Sequence, residues 1–264
     1  MVLNYINWDL DPEIVKIWIF SIRYYGLLFA ASFFFGYKIM QKIFQKENLS
    51  VELLDKLTIY MAVGTVLGAR LGHCLFYQPD YYLSHPIEIL MIWHGGLASH
   101  GAAIGILLSL YFFAKKNKKA YLWILDRIVI VVALAGFFIR MGNFMNSEIY
   151  GTVTNLPWGV VFLRDGQNLP KHPTQIYEAI SYLFIFILLF RTYRKKGPEV
   201  KQGLIFSLFL IILFTVRFFV EFIKEDQVRF EQGMTFNMGQ WLSIPFVLIG
   251  VFLLYQSFRN KTNN

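Results

Sequence analysis

Seven apolar runs dominate this chain, at residues 17–41, 57–77, 97–114, 120–141, 175–190, 203–223 and 238–257. Each is near the ~20 residues an α-helix needs to cross a hydrocarbon layer. Lipid offers a backbone no hydrogen-bond partners, so runs of this length fold there as helices. Composition agrees: 56% of residues are hydrophobic and only 16% charged, against about 25% charged in an average soluble domain. The expected fold is an all-α integral membrane protein with seven transmembrane helices, a single domain over residues 1–264.

The formal charge of +8 raises nucleic acid as a partner, but its distribution argues for a membrane instead. Lys42, Lys46 and Lys56 lie between the first two runs, the following QPDYYLSHP has no Lys or Arg, and KKNKK at 115–119 comes next. The long segment after the fourth run has only Arg164 and Lys171, RTYRKKGPEVK at 191–201 is strongly basic, and the next loop is acidic with Glu225, Asp226 and Glu231. Arg259 and Lys261 close the chain. Basic loops stay in the cytoplasm, which places the N-terminus outside and the C-terminus in the cytoplasm. An odd number of spans requires the same thing. No nucleic-acid partner is expected. The single Cys74 forms no internal disulfide and reads as a small packing residue. The opening MVLNYINWDLDPEI lacks a basic n-region and does not read as a cleavable signal peptide.

The longest stretch outside the runs, 148–174, contains Gly151, Gly159 and Gly166. Alternation in its TNLPWGVVF predicts short strands or a hairpin. A small extracytoplasmic head is therefore expected, mainly from 148–174, with 1–16, 78–96 and 225–237 available to join it. The cytoplasmic loops are short and basic, so chemistry is expected on the outer side.

Charged residues at membrane depth are costly and are functional candidates for that reason. The segment RMGNFMNSEIYG, 140–151, ends the fourth run. If the helix continues through it, Arg140, Asn143 and Ser147 share one face. Gly136 and Gly142 allow close approach by a backbone or a ligand. Arg217 and Glu221 stand at i and i+4 near the outer end of the sixth run. Two arginines from different helices suit an anionic ligand, since planar guanidinium forks match phosphate oxygens; a structural Arg–Glu network is the alternative. In WHGGLASHGAAIG, 93–105, the glycines predict a non-helical entry, and His94 and His100 are candidate proton acceptors or substrate hydrogen-bonders. No cysteine or carboxylate cluster accompanies them, so no metal and no cofactor is expected. In KHPTQIYEA, 171–179, Thr174 is a candidate helix cap, which leaves His172 and Gln175 without a structural reason. Asp126 and Arg127, near an inner helix end, read at least as readily as snorkelling residues or a structural pair as they do as catalytic groups.

Six of these stretches together resemble one family, the prolipoprotein diacylglyceryl transferases of bacterial membranes. IRYYG, WHGGLASHG, RMGNFMNSEIYG, HPTQIYE, RFFVEF and MGQWLSIP occur in the family's order, and RMGNFMNSEIYG resembles its signature segment. The resemblance implies seven transmembrane helices with an outer head in the bacterial cytoplasmic (inner) membrane. It also implies transfer of the diacylglyceryl group of phosphatidylglycerol to the lipobox cysteine of a preprolipoprotein. Residues important in the family fall on Tyr25, His100, Arg140, Asn143, Glu148, Gly151, Arg217 and Glu221. Ser147 stands where the family commonly has glycine, Ala102 where a second glycine is frequent, and KEDQ replaces the usual arginine–proline–aspartate ending of that loop. From the chemistry, Arg140 and Arg217 are expected to stabilise the departing phosphate. Asn143, Glu148, Glu221 and His172 are expected in substrate binding, Tyr25 at the headgroup, and His100 as the base for the thiol. A transporter, the rival class, would distribute polar groups through the full depth and show paired halves; here they crowd toward the outer side.

Overall fold

The computed structural model describes residues 5–18, 20–92, 96, 98–226 and 233–259. The chain divides into two compact units, one of residues 1–39 with 126–264 and one of 40–125. In chain order the elements are β1 (Ile6–Trp8), β2 (Glu13–Ile17), β3 (Phe20–Arg23), α1 (Tyr24–Lys46), α2 (Val51–Phe76), α3 (Pro79–Ser84) and α4 (Ser99–Lys116). Then follow α5 (Tyr121–Met145), β4 (Val160–Phe162), α6 (Thr174–Lys196), α7 (Leu204–Val220) and α8 (Met238–Arg259).

The fold is mostly helical. Among the described residues, six helical segments are long and apolar enough to cross a membrane: Tyr24–Lys46, Val51–Phe76, Tyr121–Met145, Thr174–Glu199, Leu204–Ile223 and Met238–Arg259. α4 is not one of them, because His100 at one end and Lys115 and Lys116 at the other dilute its 18 residues. Apolar side chains face outward on these helices, such as Ile59 at 62% and Leu248 at 64% exposure. That pattern suits a lipid solvent, in which apolar side chains lose nothing by facing out.

In the 40–125 unit, α2 starts at Ser50, whose hydroxyl accepts the Leu53 N–H at 3.3 Å. This is a standard N-cap that satisfies one orphan donor of the first turn. α2 and α4 then approach backbone to backbone: a Cβ on Gly72 would lie 2.6 Å from the Cα of Gly101. Small residues allow this approach, and in lipid it substitutes for hydrophobic attraction between helices.

In the other unit the first span is shorter than expected at its start. β2 and β3 pair antiparallel there, and Arg23 pairs with Glu13 across them at 3.0 Å. The helix begins only at Tyr24; the apolar residues of these strands had made them read as part of the span. Of the short strands or hairpin expected in TNLPWGVVF, the short strand β4 forms and the hairpin does not. β4 instead pairs in parallel with β1, Asn7 opposite Val161, while Lys171 bridges Val160 and Val153. Phe144, Tyr150, Val160 and Phe162 form a core cluster there, with Trp8 and Ile176 packed on it.

α7 follows Gly203, at φ +83°. Its first amides are met by a side chain from another helix: Asp126 of α5 accepts from Gly203 N at 2.7 Å and Phe206 N at 2.8 Å. The Asp126–Arg127 question is thereby answered. Asp126 is a tertiary cap, and the Arg127 guanidinium lies over the Tyr193 ring.

Candidate functional site

The end of α5 sets the site. Glu148 N donates to Asn143 O and Ser147 N to Phe144 O, both at 3.1 Å, around Ser147 at φ +55°. This is a Schellman ending, in which the residue after the helix turns left-handed to satisfy the last carbonyls. The expectation that the helix carries Ser147 on the face of Arg140 is corrected: α5 stops at Met145. The reversal brings Glu148 back along the helix, where Asn143 Nδ2 donates to its Oε1 at 2.7 Å and Asn146 Nδ2 at 3.3 Å. Gln175 of α6 fixes the same turn by donating to the Glu148 carbonyl at 2.7 Å.

Arg140 donates from Nη1 to Asn143 Oδ1 at 3.3 Å, and its Nε lies 2.9 Å from Glu178 Oε2. Glu178 is fully buried in α6. Its other oxygen lies 3.6 Å from Lys224 Nζ, which is 3.3 Å from Glu221 Oε1. Glu221 in turn pairs with Arg217 Nε at 3.6 Å. The two arginines are thus joined through a carboxylate–lysine–carboxylate chain contributed by α5, α6, α7 and the turn after α7. Asn237 Nδ2 holds the second oxygen of Glu221 at 3.0 Å. Arg217 is the more open of the two, its side chain 30% exposed against 13% for Arg140.

Tyr25, at the start of α1, lays its ring against Gly142: a Cβ there would meet Tyr25 Cδ2 at 2.7 Å. Gly136 likewise meets the ring of Tyr182, so both glycines admit a protein ring rather than a ligand. Gly151 donates its N–H to His172 O at 2.8 Å. A Cβ on it would strike the Ile223 carbonyl and lie 2.7 Å from His172 Cβ. The His172 Nδ1 is 3.3 Å from the Tyr177 hydroxyl, and burial pushes its pKa below the ordinary histidine value. Thr174 does not cap α6. Its hydroxyl donates to Ile149 O at 3.0 Å, tying the helix start to the loop after α5.

Of the expected site residues, Tyr25, Arg140, Asn143, Glu148, Gly151, His172, Arg217 and Glu221 all belong to one compact unit. His100 belongs to the other, exposed on the first turn of α4. His94 lies outside the described residues. Glu178 and Lys224 are participants that the sequence reading passed over. Each carried a signal: Glu178 is a carboxylate inside an apolar run, and Lys224 is a cation beside the carboxylates Glu225 and Asp226.

A half-buried, cross-linked arginine pair therefore lies at one end of apolar helices. Comparison with known proteins decides the family. The family model for prolipoprotein diacylglyceryl transferase matches residues 12–256. The chain belongs to the prolipoprotein diacylglyceryl transferase family. It is 48% identical to a phosphatidylglycerol–prolipoprotein diacylglyceryl transferase of Tolumonas auensis, over 96% of this chain and 98% of the relative. A protein of the same name from Chloroherpeton thalassium is 45% identical, over 96% and 95%, and one from Bacteroides fragilis 42%, over 95% and 94%. As a diacylglyceryl transferase, the chain retains RMGNFMNSEIYG with serine at the left-handed position of the Schellman turn.

Proposed function

We propose that this chain transfers the diacylglyceryl group of phosphatidylglycerol to the lipobox cysteine of a preprolipoprotein, the first step of bacterial lipoprotein maturation. The supporting observation is the linked pair Arg140–Glu178 and Arg217–Glu221, which places two guanidiniums around a single ionic network. The cysteine sulfur attacks glycerol C3, the carbon–oxygen bond breaks, and glycerol phosphate leaves. The thiol proton passes to a base and is balanced by the phosphate, whose second pKa is about 6. Negative charge therefore grows on the phosphate along the reaction. Groups that favour the transition state over bound lipid accelerate it, and buried guanidiniums do so strongly where water is excluded.

In this reading Arg140 and Arg217 meet the phosphate, Asn143 and Glu148 orient Arg140 and the headgroup, and Glu221 aligns Arg217. Tyr25 hydrogen-bonds the headgroup, while Gly151 and His172 shape the head against it. His100 takes the thiol proton, because a thiol with a pKa near 8.5 is only a few per cent ionised at neutral pH. The finer topology belongs here too. α4 is the seventh span, since 18 residues reach about 27 Å, close to the ~30 Å hydrocarbon thickness. The N-terminus then lies outside, the C-terminus in the cytoplasm, and the head on the outer face of the cytoplasmic membrane. The chain from 1 to 264 works as one transferase domain, with its cap mainly from 148–174.

The test is purified protein supplied with phosphatidylglycerol vesicles and a lipobox peptide, read by the mass of the diacylglyceryl adduct. Arg140→Gln and Arg217→Gln should each abolish the adduct while vesicle binding persists. An adduct formed at parental rate by both variants overturns the assignment. His100→Gln should slow transfer and steepen its rise with pH; near-parental turnover with an unchanged profile removes His100 as the base.

A further inference from the structure

Lys224 follows the last residue of the α7 span and is nearly as hidden as Glu178, its side chain 4% exposed. A buried ammonium is costly unless carboxylates surround it, and two do, Glu178 and Glu221. Its backbone is fixed independently of its charge: Lys224 N donates to Glu221 O, and the residue bridges Gly151 of the head. The five linked groups sum as follows. Arg140 and Arg217 are balanced by Glu178 and Glu221, and Lys224 leaves one positive charge. Without Lys224 the two arginines and the two carboxylates paired with them sum to zero.

We propose that Lys224 is a third cationic group of the phosphate site, with Glu178 as the positioning residue that holds Lys224 and Arg140 together. The inference rests on the transfer reading above. Its role is to supply the net charge that the two arginines, each already matched by a carboxylate, do not. A lysine differs from an arginine in one testable respect: it loses its proton within an accessible range, whereas a guanidinium keeps it. The charged groups around the Lys224 ammonium are Glu178 on α6, Arg140 on α5, and Arg217 and Glu221 at the end of α7; burial is the largest influence, and it lowers the lysine's pKa. The charge is therefore lost, as pH rises, earlier than for an exposed lysine. Removing the Glu178 carboxylate removes a group that favours the charged form, so the loss should come at still lower pH.

The experiment measures kcat/KM for phosphatidylglycerol from about pH 6 to about pH 10, using the full chain and one lipobox peptide throughout. The peptide thiol titrates identically in every arm, so differences between variants report the protein. Lys224→Gln should lower kcat/KM about tenfold or more at neutral pH. Lys224→Arg should stay within about threefold and lose the alkaline fall shown by the parent. Glu178→Gln should move that fall to lower pH, which a merely structural defect would not do. An active parent whose pH profile superimposes on that of Lys224→Arg overturns the proposal, as does Lys224→Gln within twofold of the parent. Lys224→Arg keeps the charge and most of the volume, so it decides the matter even if the other variants fail to fold. A parent that makes no adduct at any pH overturns the transfer reading, and this inference with it.

Discussion

Replacing Ser147 by glycine should stabilise the protein, and the sign depends on three opposed effects. Ser147 is the left-handed residue of the Schellman ending, at φ +55°. A Cβ in that conformation costs roughly 1–2 kcal/mol. The Ser147 hydroxyl is buried with no protein partner among the described residues, a desolvation cost of about 1–3 kcal/mol if no water reaches it. Against these, glycine releases more unfolded-state entropy, about 0.5–1 kcal/mol relative to alanine. The net expectation is a gain of about 1 kcal/mol, the low end of the sum of these effects. For a chain of this size that corresponds to roughly 2–4 °C in Tm, read by thermal denaturation in detergent micelles. Ser147→Ala separates the effects, since it removes the hydroxyl and keeps the Cβ: it should fall below the glycine variant by about 1 kcal/mol. A glycine variant less stable than parent by that amount would refute the reasoning, because the turn would then not be strained by its side chain.

Asp126→Asn should destabilise by about 3 kcal/mol, since an amide can accept for only one of the two α7 amides that the carboxylate now meets; denaturant titration of the intact chain checks this. Gly151→Ala should lose about 2–3 kcal/mol and most adduct formation, because its methyl would meet the Ile223 carbonyl and His172 Cβ; parental stability and turnover would show that the head yields there. His172 has a folded pKa below its unfolded value, so the unfolded chain binds the proton more readily. Stability from this group is full above the unfolded pKa near 6.5 and is lost as pH falls through the folded value. Acidification from about pH 7 to about pH 5 should therefore lower Tm, and His172→Gln should flatten that slope.

The helices were legible because apolar length is a direct physical signal. Expected run boundaries and observed helices agree closely for 203–223 with α7 and 238–257 with α8, whereas α2 starts at Val51, ahead of the run expected from 57. The start at 17 failed because a hairpin strand of Ile, Val and Phe has the same composition as a helix end. The head's strand was visible in TNLPWGVVF, but its partner, β1, lies some 150 residues away, and nothing local specifies a parallel pairing at that distance. Among the candidate residues, those named from sequence were the ones in recognisable spacing, such as Arg217 and Glu221 at i and i+4. Glu178 was passed over because its partners, Arg140 and Lys224, come from two other elements. The same holds for Asp126, whose purpose is visible only when the start of α7 is placed beside it.

The backbone around Gly151 explains why glycine there and the ionic network belong to one design. Gly151 N donates to His172 O, His172 N to Thr152 O, Thr152 N to Ile223 O, and Glu225 N to Tyr150 O. Three segments remote in sequence, around 151, 172 and 224, are thereby laced into one short ladder, and each places a candidate residue: Gly151, His172 and Lys224. The Lys224 backbone is thus located by main-chain hydrogen bonds, and Glu178 and Glu221 then hold its ammonium. Backbone and carboxylates together preorganise the charge, which is what electrostatic stabilisation of a departing phosphate requires. A side chain at 151 would push this ladder apart and move the ammonium without altering any charge. Loss of transfer in Gly151→Ala and loss in Lys224→Gln should accordingly be less than additive when combined, as residues acting through one another are, whereas independent contributions would multiply.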